Sequence, residues 1–89
     1  MPTHKGIIIS LYENGISPAD IVLKTSHIQN AVDRYIKHYE QVKKLLRKGM
    51  DEIAIVSITG RSLNFVRQYI KLYKNYNPQK INNETRQMS

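Results

Sequence analysis

The 89-residue chain contains no cysteine, which excludes disulfides and thiolate metal sites and suits a reducing compartment. Its longest apolar run, Ile7-Ile8-Ile9, is far shorter than the roughly 20 residues that a membrane-spanning helix needs. The N-terminus carries no signal-peptide pattern. These absences predict a cytoplasmic protein with no membrane partner.

Acidic residues are also scarce, since seven Asp and Glu stand against 14 Lys and Arg, and the formal net charge is +7. Eight of the 14 basic residues but only three of the seven acidic ones lie in residues 40–74. A basic excess attracts polyanions such as nucleic acids. Because 40% of the residues are hydrophobic, the composition is that of a folded domain.

Patterns that would indicate catalysis are missing as well. The sequence has no Ser/His/Asp set, no glycine-rich phosphate loop and no paired acids placed for a cleft. Its three histidines, His4, His27 and His38, have no metal-ligand spacing. The sequence therefore predicts no enzyme activity, no cofactor and no metal site.

An internal repeat organises the chain. Residues 45–73 align without a gap to residues 11–39, with 11 identities over 29 positions where chance gives roughly two. In each copy a helix ends at a glycine and a capping residue starts a short helix. A tight turn at Thr25-Ser26 or Thr59-Gly60 then leads to a longer amphipathic helix.

A short helix, a tight turn and a longer helix form the helix-turn-helix pattern. The sequence predicts an all-α fold of about six helices, in two three-helix units that share a core, with a first unit over 1–39, a second over 40–74 and a flexible polar tail over 75–89. The helices are predicted over 4–14, 18–24, 27–38, 39–48, 52–58 and 62–74. An unbroken apolar stripe from Val32 to Leu46 leaves open that the third and fourth helices are one.

The apolar positions of the repeat are predicted to meet between the crossing helices of each unit. They are Ile21, Val22, Val32 and Tyr35 in the first copy and Ile55, Val56, Val66 and Tyr69 in the second.

A family resemblance covers about residues 3–74. Short segments in its first two thirds carry it: Thr3-His4-Lys5, Ile8, Ser10-Leu11-Tyr12, Gly15-Ile16-Ser17-Pro18, Arg34-Tyr35-Ile36, Val42-Lys43, Leu46 and Gly49. They resemble the C-terminal part of an uncharacterised prokaryotic family whose members carry a tandem helix-turn-helix there and are described as DNA-binding, transposition-related or regulatory proteins. Members also have a longer N-terminal part. The resemblance therefore implies a piece or short form of a longer protein.

In a helix-turn-helix, the exposed face of the second helix enters the major groove. Side chains on that face that can bond base edges are predicted to read sequence: Gln29, Asn30, Arg34, Ser62, Asn64, Arg67 and Gln68. Other basic side chains are predicted to bind phosphates: Lys37, Lys43, Lys44, Arg47, Lys48, Arg61, Lys71 and Lys74. Asp33 would repel phosphate, so it is expected to bond a cytosine amino group or a neighbouring cation.

The leading hypothesis is sequence-specific binding of double-stranded DNA, as a nucleoid-associated transcriptional regulator or as the DNA-binding part of a mobile-element protein. The second copy, which has Arg67 where the first has Asp33, is predicted to be the stronger reader. The alternative is a helical protein–protein interaction module that binds no DNA. The sequence leaves two further partners open: a second copy of the chain, which would form a homodimer, and the N-terminal region of a longer protein.

Overall fold

The computed structural model describes residues 3–76, and within them the chain forms five α-helices and no strand. In chain order they are α1 (His4–Glu13), α2 (Pro18–Thr25), α3 (Gln29–Arg47), α4 (Glu52–Thr59) and α5 (Leu63–Tyr76). The all-α fold predicted from the sequence is confirmed. None of these five helices is long and apolar enough to cross a membrane.

The predicted break between a third and a fourth helix is absent, because α3 continues through residues 38 and 39. No glycine or proline lies within α3 to interrupt its backbone hydrogen bonds. Val32, Tyr39 and Val42 are all buried, so one apolar stripe holds the whole helix against the core. The described part of the chain therefore has five helices rather than six.

The last helix is longer than predicted, since α5 continues to Tyr76 and so includes the first two residues of the predicted tail. The remainder of that tail, residues 77–89, lies outside the described residues.

The two short helices begin and end alike. The Ser17 hydroxyl caps α2 and the Asp51 carboxylate caps α4, each accepting a hydrogen bond from the N–H three residues further on. Each helix ends at a residue in the left-handed conformation, with φ of 59° at Ser26 and 70° at Gly60. Because this conformation strains residues with a Cβ, Ser26 carries a strain that Gly60 avoids. Three-residue connections, 26–28 and 60–62, then lead to α3 and α5.

The core forms around α3, which packs against all four other helices. One buried cluster joins the first half of α3 to α1 and α2, through Val32, Ile8 and Ile21. A second joins the rest of α3 to α1, α4 and α5, through Ile9, Tyr39, Val42, Ile55, Val66 and Tyr69. The predicted apolar positions all lie in or against these two clusters.

Equivalent positions of the 34-residue repeat make equivalent contacts. In the first copy, His4 Nδ1 and His27 Nε2 are hydrogen-bonded at 2.8 Å. In the second copy, Arg61 Nη2 donates to His38 Nε2 at 3.2 Å. The first contact joins α1 to the connection between α2 and α3, and the second joins α3 to the connection between α4 and α5. Because His38 is the counterpart of His4, α3 both ends the first copy and begins the second.

Candidate nucleic-acid interface

Two exposed polar stripes lie along the first turns of α3 and α5. Each holds four exposed side chains spaced i, i+3, i+4 and i+7, which places them on one face of a helix. The α3 stripe is Asn30, Asp33, Arg34 and Lys37, and the α5 stripe is Asn64, Arg67, Gln68 and Lys71. Counterparts are 34 residues apart, so both copies of the repeat leave the same face of their longer helix exposed.

The α3 stripe is tied only loosely to the rest of the molecule. Gln29, at the start of α3, donates from Nε2 to Asp33 Oδ1 at 2.9 Å. Asp33 was expected to bond a cation or a base, and its partner in the structure is this amide. The Arg34 guanidinium lies 5.5 Å from the centre of the Tyr35 ring. Asn30 makes no hydrogen bond through its side chain among residues 3–76.

The α5 stripe is engaged more firmly. Arg67 donates two hydrogen bonds to the Glu52 carboxylate, at 2.9 and 3.0 Å. These bonds hold the pKa of Glu52 below its ordinary value and raise the pKa of Arg67. The Gln68 side-chain oxygen accepts from Lys5 Nζ at 2.8 Å. Both predicted base-reading residues therefore have intramolecular partners that DNA would have to replace.

Ser62 and Asn64 have different surroundings, although both were predicted to read bases. The Ser62 hydroxyl accepts a hydrogen bond from the Phe65 N–H at 3.1 Å and so caps α5. Asn64 is exposed, and its side chain has no hydrogen-bond partner within the described residues. Asn64 and its counterpart Asn30 are thus the two base-reading candidates most open to a ligand.

Most of the predicted phosphate-binding residues lie at the surface. Seven of the eight are exposed: Lys37, Lys44, Arg47, Lys48, Arg61, Lys71 and Lys74. Lys43 differs, because it pairs with Glu13 at 3.2 Å and both side chains are about 15% exposed. Tyr39 donates a further hydrogen bond to the same carboxylate. Lys43 therefore joins α3 to α1 in the fold and does not face outward with the others.

Two basic groups that the sequence reasoning did not select, Lys5 and His38, lie between the stripes. Lys5 Nζ is 4.8 Å from the centre of the Tyr69 ring, and His38 accepts from Arg61. Burial and then neighbouring Arg61 lower the pKa of His38. Together with Arg34 and Arg61, these two groups form what we call the basic junction: Lys5, Arg34, His38 and Arg61.

The sequence contained a signal for one member of this junction. When the 34-residue repeat is extended toward the N-terminus, it aligns His38 with His4, and this recurrence marks the position. Lys5 offered no such signal, because its counterpart is Tyr39, which is fully buried. Helix packing alone brings Lys5 of α1 against α5.

Among the described residues, no group of three or more His, Cys, Asp or Glu side chains is placed to hold a metal ion. Within residues 3–76, the large apolar side chains that remain exposed are Ile7, Leu23, Ile28, Ile53 and Ile58. Ile28, which is 71% exposed, directly precedes α3 and lies beside the α3 stripe.

Comparison with known proteins places the chain in a family. Residues 2–72 match the family described as "Protein of unknown function (DUF1670)", and the chain belongs to this family. No curated protein and no solved structure matches the sequence.

Proposed function

We propose that this member of the DUF1670 family binds double-stranded DNA in a sequence-specific manner, through two helix-turn-helix units formed by α2–α3 and α4–α5. Each unit places the exposed stripe of its second helix in a major groove. The molecule would act as a transcriptional regulator or as the DNA-binding part of a mobile-element protein.

One observation supports this proposal above the others. Each short helix is followed by a three-residue connection that begins with a left-handed residue, and then by a longer helix with an exposed polar face. This arrangement occurs twice in the chain, 34 residues apart, although most exposed residues differ between the copies. Packing of the core requires the exposed face to be polar but does not require the same residues on it, and Asn30 and Lys37 recur there as Asn64 and Lys71.

Base reading is assigned first to Asn30 and Asn64, whose amides can make two hydrogen bonds to adenine. Arg34 and Arg67 can make two to guanine, and Arg67 would leave Glu52 to do so. Ile28 can contact a thymine methyl group, because its side chain is apolar and exposed beside the stripe.

Phosphate binding is assigned to the exposed basic side chains at the ends of the stripes, Lys37 and Lys71, with Lys74 one turn beyond on α5. Lys44, Arg47 and Lys48 form a further exposed group at the end of α3, suited to flanking phosphates. Lys43 and Ser62 are left out, because one pairs with Glu13 and the other caps α5.

The test is selection of bound sites from a pool of random duplexes, followed by affinity measurements on the enriched site and a scrambled duplex. Asn64→Ala is the informative variant, because the side chain is exposed and makes no hydrogen bond within residues 3–76. We expect it to lose about 1–3 kcal/mol of preference for the enriched site. Gln41→Ala, at an exposed position of α3 outside both stripes, should retain the preference. Failure to enrich any site would contradict sequence-specific binding.

A protein-interaction module remains the second candidate because of the exposed apolar side chains on the short helices. Leu23, Ile53 and Ile58 are 78%, 63% and 55% exposed. Apolar side chains on a surface are typical of sites that bind other proteins when they form a patch. This function predicts no retention of the chain on duplex DNA at low salt, together with protein binding that is insensitive to salt.

A further inference from the structure

Positive charge converges at the basic junction without a compensating acid. Arg61 donates to His38, and the Arg61 guanidinium lies 5.0 Å from the centre of the Phe65 ring. Lys5 Nζ lies 5.6 Å from both the Tyr35 and Phe65 ring centres. The ion pairs found in residues 3–76, Lys43–Glu13 and Arg67–Glu52, involve none of the junction's basic groups. Aromatic faces attract cations but neutralise no charge, so the junction keeps a net positive charge.

The Tyr69 hydroxyl lies within this group of charges and lacks a hydrogen bond. Tyr69 is fully buried, and its hydroxyl has no partner among the described residues. Burial and then the neighbouring Tyr35 raise the pKa of Tyr69 to about 12, although Arg34 and Arg61 lie close enough to oppose that rise. The hydroxyl therefore stays protonated at neutral pH and offers a donor that has no acceptor. Buried donors are almost always paired, so this one indicates a missing acceptor.

We propose that the basic junction, together with the Tyr69 hydroxyl, is a binding site for a phosphate group. A phosphate oxygen would accept hydrogen bonds from the Tyr69 hydroxyl, the Arg61 guanidinium and the Lys5 ammonium, and it would balance the charges around His38. The site joins α1, α3 and α5, so it draws on both copies of the repeat.

Lys5 controls access to this site, because its ammonium lies over the Tyr69 ring on a long flexible side chain. Lys5 also lines an open groove between the start of α1 and α5, so it can be reached from solvent. When a phosphate enters, the ammonium moves from the ring face to the anion and releases Gln68, which it now holds at 2.8 Å. Phosphate binding at the junction would thus free a base-reading residue of the α5 stripe.

The phosphate can come from the DNA backbone or from a small phosphate ion, and the chemistry of the site is the same for both. The backbone source rests on the proposed function, since it places the junction between two stripes in the major groove. The small-ion source does not.

The experiment follows the assigned His38 ring signals by NMR while inorganic phosphate replaces chloride at constant ionic strength. We expect a saturable shift of the His38 signals and a rise in the pH at which this ring titrates, because the anion offsets Arg61, Arg34, Lys5 and Lys37. Tyr69→Phe should weaken phosphate binding about tenfold, because it removes one hydrogen bond to a charged group. Tyr12→Phe is the matched control, since Tyr12 donates to Glu40 outside the junction and its loss should leave phosphate affinity unchanged.

The same variants are then titrated with duplex DNA. Competition between DNA and phosphate for the His38 shift would identify the backbone as a source. A phosphate-induced shift without any DNA binding would overturn the proposed function and leave the phosphate site standing. DNA binding with no His38 response to phosphate, and equal DNA affinity in Tyr69→Phe and wild type, would overturn the phosphate site and leave the proposed function standing.

Discussion

Ser26 and Gly60 hold the same position in the two copies of the repeat and the same left-handed backbone conformation. The Cβ of Ser26 is strained in that conformation, whereas Gly60 has no Cβ and avoids the strain. A Cβ added at Gly60 would have no neighbouring atom within 4 Å, so the backbone conformation is the one source of strain there. The two turns thus differ in energy although they share a shape. Serine is a poor choice where a turn needs a positive φ, because its Cβ crowds the backbone in that conformation.

A reciprocal exchange measures the difference. We expect Ser26→Gly to stabilise the fold by about 0.5–1 kcal/mol, because relief of left-handed strain exceeds the entropy that glycine adds to the unfolded chain. Gly60→Ser should destabilise it by a similar amount. Urea denaturation of both variants and the wild type provides the values. Equal stability of all three proteins would contradict the assigned strain and would mean that the backbone of both connections accepts serine and glycine equally well.

Tyr69 and Tyr12 form a second contrast between single residues. The Tyr69 hydroxyl is buried without a partner, so Tyr69→Phe should leave the thermal midpoint unchanged or raise it. The Tyr12 hydroxyl donates to the Glu40 carboxylate at 2.8 Å in a partly buried site, so Tyr12→Phe should cost about 1–2 kcal/mol. Thermal unfolding followed by circular dichroism checks both. A larger loss in Tyr69→Phe than in Tyr12→Phe would mean that the Tyr69 hydroxyl is satisfied in solution.

Among the helices, α4 restrains α5 through one ion pair. Glu52, in the first turn of α4, holds Arg67 of the α5 stripe with two hydrogen bonds. If Arg67 reads DNA, Glu52 competes with the base and also repels phosphate. Glu52→Gln should therefore strengthen DNA binding several-fold, as fluorescence anisotropy would show. Asp20→Asn removes an exposed acid from the first turn of α2 and is the control. Weaker binding by Glu52→Gln would mean that the pair positions Arg67 for DNA.

The same pair predicts a pH dependence of stability. The folded-state pKa of Glu52 lies below its ordinary value of 4.5. The stabilisation from the pair is therefore present above that value and is lost as the pH falls through the lower folded-state pKa. The stability difference between wild type and Glu52→Gln should shrink over this acid range and stay constant above it. A difference that does not change with pH would contradict this assignment.

Helix identities followed from the sequence because local signals marked them. The caps at Ser17 and Asp51 and the glycines at Gly15 and Gly49 set the helix ends to within about two residues. For residues 27–48 the sequence allowed two predictions, two helices or one continuous helix, and no capping residue near residue 38 distinguished between them. Packing favours the unbroken helix, since Tyr39 is fully buried and its ring contacts both the Tyr12 ring of α1 and the Tyr69 ring of α5.

The candidate site was harder to predict than the helices. The α3 and α5 stripes follow from helical spacing, so most exposed members were found. In the sequence, Lys43 and Lys44 are equivalent, since both are lysines of the same basic cluster. Only the ion pair of Lys43 with Glu13 in the folded structure distinguishes them. The basic junction depends on how α1, α3 and α5 meet, which no local pattern in the sequence records.

For the molecule as a whole, size limits how the stripes can meet DNA. The described fold measures 43 × 30 × 23 Å, and the two stripes lie closer together than the roughly 34 Å of one DNA turn. Arg34 and Lys5 Nζ lie 5.5 and 5.6 Å from the centre of the Tyr35 ring, and Lys5 Nζ lies 2.8 Å from the Gln68 oxygen. Arg34 and Gln68 are therefore within about 14 Å of each other, so both stripes belong to one binding surface. We predict a hydroxyl-radical footprint with one continuous protected segment. Two protected segments a full turn apart would mean that more than one copy of the chain binds.

Charge gives the most direct test, because DNA binding through basic side chains must weaken with salt. The measurement is the affinity of the chain for duplex DNA at several salt concentrations from about 50 to 200 mM, for wild type, Lys71→Ala and Lys24→Ala. We predict a steep linear fall of log affinity with log salt, a slope reduced by about one in Lys71→Ala, and no change of slope in Lys24→Ala, an exposed lysine on α2. Absence of binding at 50 mM, or a slope that Lys71→Ala leaves unchanged, would contradict DNA binding through the α5 stripe.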